Sequence, residues 1–331
     1  MLEILSDGGR FKQASSDRDA EELLDTILEK RQSGRMRMSR YVGSLEELIL
    51  RHPNYIDGHA HLGFALLEQG KAKQALAACE RGFLIGEAGI PPRYRGLIEW
   101  SWLENRPFLR AAQGIALSLQ QLGQRAETIA MMERILKWNP NDNQGLRYLI
   151  GSEYLRAGAT GKATKLIVHE ADAFPPYHYE AALIEVAAGR FVDAATRLRR
   201  AFVANNYIAE TLCGAANPMK LAIWHGSNLA EPEVAKKYVD AYGDLWRQTP
   251  AALQFLRWLH SHPKVAIERA GIFEKKEALF WEREFEVRRT LGDEEERRIQ
   301  EIDDRLSQEI VRKREDRYGR SVDPWLHVST D

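Results

Sequence analysis

Residues 115–145 read IALSLQQLGQRAETIAMMERILKWNPNDNQG, and this stretch decides the fold. Ile115, Ala116 and Leu119 fall on one helical face, Gly123 interrupts it, Met132 and Ile135 resume the apolar spacing, and Pro140 closes the second segment. Trp138 fills the turn before the proline. The pattern predicts two short helices joined by a tight turn. It recurs downstream at Gly158, Ala163 and Pro175, and again at Gly189, Ala194 and Ala201, with a period of about 35 residues. Such a period belongs to helical arrays.

Upstream, His59-x-x-Leu62-Gly63-x-x-Leu66 is followed by Gly70, Ala75, Cys79 and Gly82. Gly63 marks a point where two helices approach too closely for a Cβ. Further back, Ser44 with Glu47 predicts a helix start, Leu45, Leu48 and Ile49 fit the second helix of a degenerate unit, and Pro53 ends it. About five units result. The spacing resembles the tetratricopeptide repeat family, with its Leu-Gly pair, turn Gly, Ala and closing Pro over about 34 residues, across residues 22–207. Residues 105–110 and 139–148 are similar to segments of stand-alone bacterial members. The resemblance implies an all-α, TPR-like α-solenoid of antiparallel helix pairs and a role in protein–protein interaction.

The rest of the chain departs from the period. Gly70 and Gly123 lie 53 residues apart, so an aromatic insertion with Tyr94, Trp100 and Trp102 is expected at about 83–107. The reading divides the chain into N-terminal helices at 1–53, an array at 54–207, a helical cap at 208–263 and a long charged helix with its tail at 264–331. In the cap, Ala235, Tyr238, Tyr242 and Trp246 form one apolar face and Leu253, Leu256 and Leu259 another, with Asn228 a helix start. Ile299, Ile302, Leu306 and Ile310 form a stripe suited to a helix lying along the array. Trp325, alone on a polar tail, is expected to dock on the chain's own array or on a neighbour, so self-association through the C-terminal helix or tail is a possible partnership.

With 331 residues, 44% of them hydrophobic, the chain can bury a continuous core. A net charge of -1 gives no global attraction for nucleic acid or anionic membranes. Cys79 and Cys213 show no pairing pattern, no apolar run reaches membrane-spanning length, and the first residues do not read as a signal peptide; together these point to a cytoplasmic protein. His59-Ala60-His61 puts its rings on different helical faces, which disfavours a metal site, and phosphate loops and nucleophile elbows are absent. No metal or cofactor is expected and the protein is read as a non-enzyme.

In a stacked array the first helix of each pair lines a concave groove. The groove candidates are His61 and Phe64, then Arg110, Gln113, Leu117 and Gln120, then Tyr148, Ser152 and Arg156, and finally Tyr179 and Leu183. Aromatic rings beside amides and guanidinium groups suit a peptide or protein segment. The positions where family members clamp a terminal carboxylate hold Ala60 and Phe64, which are unsuited to it. Two alternatives are an enzyme-complex subunit with a site at the array–cap junction near Trp224 and His225, and RNA binding through Lys30, Arg31, Arg35, Arg37 and Arg40. Flanking Asp25, Glu29, Glu46 and Glu47 make nucleic acid the less favoured partner.

Overall fold

Four turns share one backbone conformation. At Gly70, Gly123, Gly158 and Gly189 φ is 71°, 72°, 70° and 72°, the left-handed region that glycine enters without steric cost. The following N–H groups of Lys71, Gln124 and Arg190 reach back to the carbonyls of Leu66, Leu119 and Glu185 at 2.9, 3.0 and 2.9 Å, satisfying carbonyls that the helix end leaves open. The computed structural model describes residues 1–12 and 17–327. It is all-helical apart from two short hairpins among the described residues. The chain forms two compact units, residues 1–157 and 158–331.

In the first unit, a hairpin of β1 (Leu2–Ile4) and β2 (Gly9–Phe11) precedes α1 (Arg18–Gln32), α2 (Met38–Arg51), α3 (Ile56–Glu68) and α4 (Ala72–Glu87). After the insertion come α5 (Arg106–Gln121), α6 (Arg125–Trp138) and α7 (Arg147–Arg156). Each helix from α1 packs on the next, and α3 also packs on α5. That extra contact depends on small residues. A Cβ at Gly63 of α3 or at Gly114 of α5 would collide with the sulfur of Cys79, which is fully buried between them.

The N-terminal hairpin is a correction to the expectation of helices from the start of the chain. Its strands are too short to stand alone, and they hold because the insertion completes their hydrogen bonds. Leu2 donates to Gly89 at 2.8 Å and Gly9 to Leu97 at 2.7 Å, while the buried Asn105 side chain accepts from Phe11 and donates to Gly9. Phe108 joins Phe11, Phe83 and Trp138 in one aromatic cluster with ring centroids 5.0–5.2 Å from Phe108. The insertion therefore folds down between the hairpin and helices α4 to α6. Ser44 lies inside α2, whose N-cap is Arg37, so the expected cap is not formed.

The second unit contains α8 (Thr160–Glu170), α9 (Pro175–Ala187), α10 (Phe191–Ala204), α11 (Asn206–Leu212), α12 (Pro232–Arg247), α13 (Pro250–Ser261), α14 (Pro263–Trp281), α15 (Phe285–Gln300) and α16 (Asp304–Ile310). Pro175 opens α9 at its first turn, where its missing N–H costs nothing; it does not close α8. Helix α10 is the centre, packed by α9, α11, α13, α14 and α16. Its Ala194, Ala195 and Ala201 let neighbours come close, while Leu198 and Phe202 fill the space between.

The predicted long charged helix is instead three helices. Glu282 accepts the N–H groups of Arg283 and Glu284 in the break before α15, and Asp303 caps the start of α16 by accepting the N–H of Arg305. Ile302 and Ile299 pack on Val203 and Ile272, which lays this segment along α10. Beyond it, β3 (Arg314–Glu315) pairs with β4 (Ser321–Val322), and Trp325 is buried against Phe191, Phe255 and Trp258. Residues 13–16 of the expected N-terminal helices and 328–331 of the expected tail lie outside the described residues.

Candidate functional site

Three helices of the first unit place side chains in register. On α3, Asp57, His61, Phe64 and Glu68 recur at spacings of four and three, as do Arg110, Gln113, Leu117 and Gln120 on α5; Tyr148, Ser152 and Arg156 follow every four on α7. Each row is one helical face. The rows are then tied together: Arg110 pairs with Asp57, Gln113 exchanges hydrogen bonds with Gln144, and Gln120 donates to Glu153 at 2.8 Å. Arg156 reaches the same Glu153 oxygen at 3.0 Å, and Arg31 closes the other edge on Glu68 at 3.2 Å.

Between these ties lies an open cavity of about 430 Å³ bordered by Tyr41, Phe64, Leu67, Glu68, Leu117 and Gln120. Its floor is apolar and its rim carries amides and paired charges. Burial lowers the pKa of His61 despite the Asp57 carboxylate 3.9 Å away, which favours the neutral ring at neutral pH. Burial likewise raises that of Tyr41. A second cavity of about 510 Å³ lies where α3 and α5 begin, beside the hairpin, and includes Tyr55, Asp57, Arg106 and Arg110.

Of the predicted groove residues, His61, Phe64, Arg110, Gln113, Leu117, Gln120, Tyr148 and Arg156 are half-buried, and Ser152 is buried. Tyr179 and Leu183 are corrections. In the second unit α12 and α13 pack on α9, and both residues are buried. Tyr179 is a core residue whose hydroxyl donates to Asn205 O at 2.6 Å and whose ring packs on Phe202 and Trp246. Asp57, Glu68, Glu153 and Tyr41 were missed; the first two sit four residues from His61 and Phe64, a spacing that could have shown them.

No family model and no curated protein matches this chain. Near His225, Tyr207 OH lies 2.8 Å from the imidazole Nε2 and accepts from Leu221 N, and the surrounding void is only about 10 Å³, the room of about one water. Along the basic edge, Arg31 is paired with Glu68 and Arg35 with Glu29 at 2.7 Å, so two of its five cations are locally neutralised. His59 bonds to the Pro53 carbonyl at 2.9 Å. No helix among the described residues is long and apolar enough to cross a membrane.

Proposed function

We propose that this chain is a TPR-like, non-enzymatic scaffold, working in the cytoplasm, that holds a segment of another protein on the face built by α3, α5 and α7. The glycine turns at Gly123, Gly158 and Gly189 support the TPR-like reading because they recur at about the period read from the sequence, and the packing of α3 on both α4 and α5 is the contact that stacked helix pairs make. One observation carries the binding role: Phe64 and Leu117 flank an open cavity while every neighbouring charge has a partner within the unit. The cross-ties hold the wall rigid before any ligand arrives, and preorganisation of this kind lowers the entropic cost of binding.

The test compares partners co-purified from the native cell by the wild type, by Arg110→Ala/Tyr148→Ala, and by Phe64→Glu/Leu117→Glu. Loss of the same partners in both variants is expected, with unchanged far-UV circular dichroism. Identical partner sets for all three proteins would remove the face from consideration.

A further inference from the structure

The β3–β4 hairpin concentrates positive charge that the chain as a whole does not have. Residues 312–320 hold the cations Arg312, Lys313, Arg314, Arg317 and Arg320 against the carboxylates of Glu315 and Asp316, while the full chain has a net charge of -1. Two of these cations are spent locally: Arg320 pairs with Asp316 at 2.8 Å and Lys313 faces Asp323 at 3.8 Å. Arg312, Arg314 and Arg317 are exposed and have no carboxylate within ion-pair distance among the described residues. Glu315 follows Arg314 in β3 and so points to the other face of the hairpin. At the tip stands Tyr318, 65% exposed, on a turn that is fixed before any ligand arrives. Asp316 Oδ1 accepts the N–H groups of Tyr318 and Arg320 at 2.8 and 2.9 Å, and Gly319 closes the turn with a φ of 71°. The Arg317 and Arg320 guanidinium groups lie 4.8 and 5.1 Å from the Tyr318 ring centroid, which lines the ring with positive charge. Just after β4, the buried Trp325 accepts a hydrogen bond from Gln254 at 2.9 Å and roots the segment on α13.

We propose that this hairpin binds single-stranded nucleic acid, the guanidinium groups of Arg312, Arg314 and Arg317 meeting phosphates while Tyr318 stacks on an unpaired base. The charge selects a polyanion. The ring narrows the choice, because an exposed aromatic side chain gains stacking energy from a base that is not already paired and stacked in a duplex. An anionic bilayer is the weaker fit. Basic clusters that hold lipid surfaces gather about four to eight lysines or arginines, and here only Arg312, Arg314 and Arg317 are unspent.

Fluorescence anisotropy of a labelled oligouridylate of about twelve nucleotides, titrated with the full chain across a salt series, tests the proposal. The dissociation constant at low salt is expected on the order of 10–100 µM. The logarithm of the association constant should fall against the logarithm of salt with a slope of about -2, since each of the three phosphate contacts on a single strand contributes about -0.7. Arg312→Ala/Arg314→Ala/Arg317→Ala should remove most of that slope. Tyr318→Ala should weaken binding by about fivefold or more at every salt concentration, whereas Tyr318→Phe, which keeps the ring, should bind like the wild type. All four positions are exposed, so thermal unfolding should not change. No binding at low salt, equal affinity for a duplex of the same length, or affinity indifferent to Tyr318→Ala would overturn the proposal. So would tighter binding to phosphatidylserine vesicles or to polyglutamate than to the oligonucleotide, because charge alone would then set the partner.

Discussion

Placing a methyl group on Gly63 probes the closest helix contact in the first unit. Its Cβ would overlap the Cys79 sulfur and lie 3.3 Å from Ala75 O. Burial pushes the Cys79 thiol up to about 12, so it stays protonated and packs as a small apolar group. Overpacking of this kind costs about 1–3 kcal/mol, while alanine in place of glycine in a helix returns about 1 kcal/mol. Gly63→Ala should therefore lose up to about 2 kcal/mol net. Cys79→Ala removes the obstructing atom and, by leaving a small void, costs about 1 kcal/mol itself. In that background the nearest neighbours of the new methyl group at position 63 become the Ala75 carbonyl oxygen at 3.3 Å and the remaining Cβ of residue 79 at 3.5 Å. The double substitution should then be no less stable than Cys79→Ala alone, a coupling of about 1–3 kcal/mol, the overpacking that removal of the sulfur relieves. Gly114→Ala, whose Cβ meets the same sulfur, should behave in the same way. Urea unfolding, combined with hydrogen exchange at α3 and α5 amides, isolates the first unit's response from that of the second. Additive effects of Gly63→Ala and Cys79→Ala would refute the sulfur-wedge account.

Arg199 is 1% exposed, pairs with Glu268 and donates to Asp303 O and Ser307 Oγ; Arg199→Met should cost about 3 kcal/mol, and amide protection in α16 should fall first. Retained α16 protection would separate this network from α16 docking. Trp325 is 3% exposed, and Trp325→Ala should lower second-unit stability by up to about 3 kcal/mol while limited proteolysis between residues 312 and 323 accelerates; an unchanged cleavage rate would refute the anchor. Burial lowers both His178 and His260 from 6.5 to about 4. Between those pH values the unfolded chain binds protons that the folded chain refuses, so stability should fall as pH drops from 6.5 toward 4. Denaturation midpoints of His178→Gln/His260→Gln should depend less steeply on pH in that window, and an unchanged slope would assign the loss to other groups.

The helix turns were legible because their chemistry is local: a left-handed residue after a helix selects glycine, and Gly70, Gly123, Gly158 and Gly189 announce it without help from distant residues. Gly63 was legible for a similar reason, since a missing side chain inside a helix marks a close approach. The N-terminal hairpin was not. Its hydrogen-bond partners Gly89, Leu97 and Asn105 stand some 90 residues away, and a three-residue strand carries almost no periodic signal. The breaks that divide the charged C-terminal segment were hidden because Glu282, which binds the backbone of the first break, and Asp303, which caps α16, are concealed in a charge-rich sequence among many equivalent carboxylates. The candidate face shows the same division. Spacing alone brought Arg110, Gln113, Leu117 and Gln120 to one side of α5, yet identical reasoning put Tyr179 and Leu183 in a groove when they lie in a core. Periodicity specifies which side chains share a direction, and the covering element is supplied by tertiary packing. On α9 that element is α12 with α13, helices that begin more than forty residues downstream. On α3 and α5 the nearest side chains tie to one another across the face and leave a cavity, and this difference concentrates the binding hypothesis on Phe64 and Leu117.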